Sequence, residues 1–111
     1  MVRELLEQVV ETFNLKSRND EKFRRELEGL RRTVQLEFDD GSAYHFNLKD
    51  TLIDGVHDGK KEGAEILVFT DVDTFSSIIL GEMSPMRAYA TKKIKFKASL
   101  SDMLMMRKFF G

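Results

Sequence analysis

Apolar residues recur at helical spacing from the first positions onward. Val2, Leu5, Leu6, Val9, Val10 and Phe13 fall at i, i+3, i+4, i+7, i+8 and i+11, which is one face of an amphipathic helix. The polar run from Asn14 to Asn19 is expected to break it. A shorter helix follows, with Phe23, Leu27 and Leu30 inward and Gly29 near its end. The period then changes to two. Val34, Leu36 and Phe38 alternate with Gln35 and Glu37, which predicts a half-buried strand. Asp40-Gly41 signals a hairpin, because glycine takes positive φ without a Cβ clash. The return strand carries Tyr44, Phe46 and Leu48 on one face, and a third, weaker strand spans about 51–57. Ile66, Leu67, Val68 and Phe69 are apolar on both faces, so strand 65–70 is expected to be central and covered on both sides. By spacing alone the charged segment 58–63 reads as a hairpin turn, since parallel neighbours need a longer connection.

Asp71 or Asp73 can cap the next helix, which ends at Gly81 and has Phe75, Ile78 and Ile79 on its apolar side. Ser84-Pro85 is a further start signal, a capping hydroxyl followed by proline at the first helical position, with Met86 and Tyr89 beyond it. Ile94, Phe96 and Ala98 alternate with Lys93, Lys95 and Lys97, giving a fifth strand. Ser99 or Ser101 opens a last helix that runs to the C-terminus. The order α-α-β-β-β-β-α-α-β-α predicts one α+β domain over residues 1–111, a five-stranded mixed sheet covered by helices.

The last helix is unusually apolar. Leu100, Met103, Leu104, Met105, Met106, Phe109 and Phe110 leave it no clearly polar side, so it calls for a contact beyond the sheet. A ligand, a second subunit or a membrane would supply one. Apart from Met1, every methionine lies between Met83 and Met106. Methionine is unbranched and polarisable, and a wall of it suits apolar ligands of varied shape.

Charge adds a second asymmetry. Residues 1–83 carry 11 basic and 18 acidic side chains, net −7, whereas 84–111 carry seven basic and one acidic, net +6. The basic end suits an anionic headgroup, a phosphate or a membrane surface. With no cysteine, a thiol nucleophile, a disulfide framework and a thiolate zinc site are excluded together. The expected setting is soluble and cytoplasmic: the N-terminus lacks the pattern of a signal peptide, and no stretch approaches a membrane span.

No catalytic, cofactor or metal motif emerges. Asp71-Val-Asp73 opens like a calcium loop, but Phe75 and Ser76 stand where a ligand and glycine belong. Gly59-Lys60-Lys61 lacks the glycine spacing of a phosphate loop. His45 and His57 have no partner at ligand spacing. The lysines from 92 to 97 lack the interleaved aromatics that nucleic-acid stacking needs, so no nucleic-acid partner is expected.

Asp71-Val-Asp-Thr-Phe75, Leu80-Gly-Glu-Met-Ser-Pro-Met-Arg-Ala-Tyr89 and Lys93-Ile-Lys-Phe-Lys97 together resemble the C-terminal signature of the sterol carrier protein 2, or non-specific lipid transfer, domain. The detailed likeness covers about 71–110, and the element order upstream agrees. Two positions depart from it: Lys92 stands where the family usually has glycine, and Ala98-Ser99 where it usually has Gly-Asp or Gly-Asn. The resemblance implies a sheet covered by helices on one side, with an apolar tunnel between them. It also implies that the third strand reaches the fourth by a crossover. It further implies non-catalytic binding or transfer of fatty acids, fatty acyl-CoA, isoprenoids or sterol-like lipids.

On that layout, the expected lipid wall is Phe75, Ile79, Met83, Met86, Tyr89, Phe96, Met103, Met106 and Phe110. Arg87, Arg107 and Lys108 are the candidate headgroup cations. Expected partners are an apolar small molecule, a transient membrane surface and a second copy of the chain. The competing reading is a dimerisation or accessory module that uses the last helix.

Overall fold

A computed structural model describes residues 2–104. Helix α1 (Val2–Asn19) lies beside α2 (Glu21–Leu27). Strands β1 (Arg32–Phe38), β2 (Ala43–Lys49), β3 (Leu52–Ile53), β4 (His57–Asp58) and β5 (Ile66–Thr70) follow. Helices α3 (Val72–Ile79) and α4 (Pro85–Ala90) lead to β6 (Ile94–Lys97), and residues 100–104 are helical, here α5. The sheet order is β3-β2-β1-β5-β6, with β4 paired to β2. Strand β5 is interior, parallel to β1 and antiparallel to β6.

The expected break at Asn14 does not occur, because the Asn14 side chain bonds outward instead of competing with its own helix. Its Nδ2 donates to Ile53 O at 2.9 Å, and Ile53 N–H donates to Asn14 Oδ1 at 2.8 Å. The carboxamide thus serves the short strand β3 as a further strand would. One turn later, Ser17 is fully buried and its hydroxyl donates to Thr51 O at 2.6 Å. That bond supports a strained corner: Asp50 and Thr51, the two residues joining β2 to β3, have φ of 53° and 68°. A two-residue turn of type I′ has positive φ at both positions, and a β-branched residue adopts it reluctantly. Only Asp20 ends α1; its side chain caps α2 by accepting from Phe23 N–H at 3.1 Å.

Segment 58–63 is the crossover that the family resemblance implies, not the hairpin that spacing alone suggests. The chain leaves β4 on one side of β1 and enters β5 on the other, passing over the sheet's polar face. Lys61 N–H donates to Gln35 Oε1 at 2.9 Å on the way. Gln35 is therefore only 6% exposed, although the alternation along β1 assigns it to the solvent side. The single weak strand expected over 51–57 is two short strands separated by Gly55, whose φ is 133°. Coverage of β5 is one-sided: Ile66, Val68 and Thr70 are buried, while Leu67 and Phe69 are half-buried. The register sets Leu67 opposite Lys97 and Phe69 opposite Lys95, so lysine stems shield what no helix covers.

Of the two capping candidates, Asp71 caps α3, accepting from Thr74 N–H at 2.7 Å and from Thr74 Oγ1 at 2.7 Å. These bonds, the backbone one first, hold its carboxyl below the usual aspartate value of 3.8. Ser84 caps α4 through Arg87 N–H, and Ser99 rather than Ser101 caps α5 through Asp102 N–H. Lys92, the departure from the family pattern, has φ 62°, the left-handed conformation that glycine favours.

Two substitutions test this account. Lys92→Gly relieves the strained φ at some entropic cost in the unfolded chain, for a net stabilisation of about 0.5–1 kcal/mol. Asn14→Ala strips two partners from the Ile53 backbone and should cost about 2–3 kcal/mol. Both are read as shifts of the urea midpoint at constant slope. A midpoint unmoved by Asn14→Ala would mean that water replaces both bonds.

Candidate functional site

Cross-strand partners share a sheet face, so the register sorts the side chains. Val34 and Leu36 pair with Phe46 and Tyr44 on one side and with Ile66 and Val68 on the other. Phe96 lies opposite Val68. This apolar face receives the helices. Leu6 of α1 and Ala88 of α4 are buried against it, and Val2, Val72, Phe75, Ile78 and Met83 pack around them half-buried. The Phe38 ring meets Tyr44 edge-on at 6.2 Å and Phe75 at 5.7 Å. Tyr89 tilts over Phe96 at 5.9 Å. Among the described residues this layer is lined mainly by apolar side chains.

The expected wall is only partly assembled here. Phe75, Met83 and Phe96 pack on the buried cluster. Ile79 is half-buried beside α3's core contact, Ile78, and Met103 is half-buried on α5. Met86 is 53% and Tyr89 46% exposed. The reason is angular: Ala88 takes the inward position of α4, which sends Met86 about 200° round the helix and Tyr89 about 100°. Arg87 is exposed. Met106, Phe110, Arg107 and Lys108 lie outside the described residues. Sequence reasoning drew its wall entirely from position 75 onward and left out Tyr44 and Phe46. Their alternation was visible; the face it shares with β5 and β6 emerges only from the pairing.

The opposite face is polar. Lys60 Nζ lies 3.0 Å from Glu37 Oε1, and Lys61 Nζ donates to Asn47 Oδ1 at 3.1 Å. The hydrogen bond from Lys60 is the main reason that the Glu37 carboxyl sits below its ordinary value. The two histidines, read from sequence as unpartnered, are brought together by the β2–β4 register. Their rings stack at 4.9 Å, and His45 Nδ1 lies 3.0 Å from Gly59 O. His57 Nε2 is 3.0 Å from Asp54 Oδ1, without meeting hydrogen-bond geometry. Burial pushes the Asp54 carboxyl up, but Asn47 and His57 outweigh it and leave it low. An open groove of about 290 Å³ at the ends of β1 and β5 mixes Glu37, Asp39 and Asp71 with Lys92, Lys93 and Lys95. Among the described residues no three His, Asp or Glu side chains could hold a metal ion. None of the helices there is long and apolar enough to cross a membrane.

Among the described residues, a mixed sheet carries α1, α3 and α4 on one apolar face, an α+β arrangement. Residues 11–110 match the SCP-2 sterol transfer family, and the chain belongs to that family. Lipid binding is the general activity this membership carries. Solved structures repeat the fold. A UbiJ-SCP2 ubiquinone synthesis protein aligns with TM-score 0.64 and 12% identity, over 95% of this chain and 84% of its own. Palmitated SCP2L2 from Aedes aegypti aligns with TM-score 0.61 and 16% identity, over 91% of each chain. The inverting sec-alkylsulfatase Pisa1 from Pseudomonas sp. gives 0.62 and 17%, over 78% of this chain. This chain spans only 13% of the sulfatase's length. No curated protein sequence matches the chain.

The faces make a prediction for the histidines. His45→Ala and His57→Ala should each leave the affinity for a fluorescent fatty acid within about twofold, or about 0.4 kcal/mol. Both rings lie on the face away from the apolar layer. A loss well beyond that in a titration would place a histidine against the ligand.

Proposed function

We propose that this protein binds a single long-chain lipid, a fatty acid, acyl-CoA, isoprenoid or sterol-like molecule, between the apolar sheet face and the helices over it, and does no chemistry on it. One observation carries the reading. Among the described residues, a core cluster of seven buried side chains is surrounded by eleven apolar ones that remain partly open. These partly open side chains are the apolar surface that a guest would cover. Each methylene buried there contributes roughly 0.8 kcal/mol, so a long chain reaches micromolar affinity even after the cost of ordering it.

Phe75, Ile79, Met83, Tyr89, Phe96, Met103 and the sheet residues Tyr44 and Phe46 form the wall of this proposal, with Met106 and Phe110 completing it. Met86 suits the rim better than the wall. Arg87, Arg107 and Lys108 meet the headgroup. The exposed Leu80 and Met86, near Arg87, Lys92 and Lys93 in the chain, suit a transient contact with an anionic membrane during loading.

A second reading has its own support. Leu80, Met86, Leu100 and Leu104 are exposed, and the same fold forms one part of the much longer sulfatase chain. In this reading the domain is an accessory or dimerisation module.

Mass spectrometry of lipid extracted from the purified protein separates the two. A stoichiometric long-chain lipid is expected. A lipid-free dimer that takes up no fluorescent fatty acid would establish the second reading instead. In the same assay, Met103→Lys should weaken binding by about tenfold or more, because a charge would be buried against the acyl chain. Leu104→Lys, on the open side of α5, should change it less than about threefold. Equal effects of the two would remove Met103 from the wall.

A further inference from the structure

β1 and β5 are parallel neighbours, so their carboxyl ends, Phe38 and Thr70, lie side by side. From there the chain diverges. It leaves β1 by the turn at Asp40-Gly41 toward β2, and it leaves β5 through α3 and α4 toward β6 on the opposite side. Connections that part in opposite directions leave a crevice beyond the carboxyl ends of parallel strands, the usual ligand position in open sheets of that kind. The open groove of about 290 Å³ lies there. Ligand pockets run from about 300 Å³ upward, so this one has room for a headgroup and not for a whole lipid.

Six charged side chains line the groove, and they are not evenly committed. Asp71 accepts from Thr74 N–H and Oγ1, and Glu37 is held by Lys60 and by Gln35 Nε2. Among the described residues, none of Lys92, Lys93, Lys95 and Asp39 forms an ion pair. The uncommitted charge is therefore three cations against one anion. Lys92 also carries backbone strain. It closes α4, with its N–H bonded to Tyr89 O at 3.1 Å and that of Lys93 to Ala88 O at 2.8 Å. Its φ of 62° belongs to a helix end where glycine or asparagine is the unstrained choice. Strain held beside a cleft is a mark of functional use. The turn itself is tied down: Thr70 Oγ1 donates to Lys93 O at 3.0 Å, and Lys95 stands opposite Phe69 one strand away.

We propose that this groove is a phosphate-binding site, with Lys92, Lys93 and Lys95 as its donors and a phosphate monoester as its ligand. Each ammonium offers up to three charge-assisted hydrogen bonds to a tetrahedral oxyanion, and Asp39 opposes it by like charge. An apolar tail on that phosphate rests on the lipid-binding reading; the site itself does not.

Titration of the full isotope-labelled chain with inorganic phosphate at low salt, followed by amide shifts, tests the site. Saturable shifts are expected at 38–40, 69–71 and 92–95. Lys92→Gly should weaken binding about fivefold or more while raising the urea midpoint, so that unfolding cannot be the cause. Lys95→Gln, outside the strained turn, should cost about as much, and Asp39→Asn should tighten binding about threefold. Lys97→Gln, on the same strand but outside the groove, should stay within about twofold. Equal losses from Lys92→Gly and Lys97→Gln would mean diffuse surface charge and overturn the site, and so would a failure to saturate at millimolar phosphate. Dodecyl phosphate then identifies the source. Binding about tenfold or more tighter than inorganic phosphate, with the same penalty from Lys92→Gly, assigns the site to a phosphorylated lipid. Equal affinities assign it to a free phosphate compound. A protein that takes up no fluorescent fatty acid removes the lipid reading, and the phosphate titration still decides the site.

Discussion

The parallel pairing of β1 with β5 is the constraint on which the rest of the molecule depends. A parallel neighbour cannot be reached by a tight turn, so the chain must cross the sheet between β4 and β5. It crosses on the polar face, where Gln35 receives Lys61 N–H. With that face taken by a loop and by paired charges, the helices have one apolar face left to cover. The same pairing puts β5 in the interior, so that α3 and α4 return the chain to β5's free side as β6. The candidate lipid layer is the consequence: β1, β2, β5 and β6 contribute to it, and the crossover passes on the other side.

The charge asymmetry finds a structural role in β6. This strand closes one edge of the sheet, and Lys95 and Lys97 stand on its outer face opposite Phe69 and Leu67. Lysines on an edge strand discourage pairing with another chain, and their stems cover the apolar half of β5 that no helix reaches. Two of the seven cations of the C-terminal quarter thus have a place in the sheet without any anionic ligand. Arg87, Lys92 and Lys93 remain beside the exposed end of α4, where a charged surface has a use in loading.

The polar groups that matter most are those that attach distant segments to one another. Asn14 holds β3, Ser17 supports the strained Thr51 corner, and Arg32 holds Asp102. Each joins elements that hydrophobic burial alone would leave free to slide. In a fold whose apolar layer is proposed to accommodate a guest, fixed polar ties of this kind keep the frame in register while the packing inside it adapts.

How much of this was legible in the sequence follows from the range of the interactions. Helix faces, strand alternation, the Asp40-Gly41 turn and the Ser84-Pro85 start are local, set by side chains within a few residues of one another, and the periodicity of the chain determined them. The family likeness over 71–110 likewise lay in contiguous motifs. Tertiary structure decided where Asn14 finds its partner, so that α1 continues where its polar run suggested a break. It decided that Gln35 is buried, that His45 meets His57, that Tyr44 and Phe46 share a face with Phe96, and that Met86 turns outward while Ala88 turns in. Each of these depends on which strand lies beside which, or on which side of a short helix meets the sheet. A carboxamide or an imidazole carries no mark of a partner tens of residues away, and only the folded backbone brings the two within bonding distance.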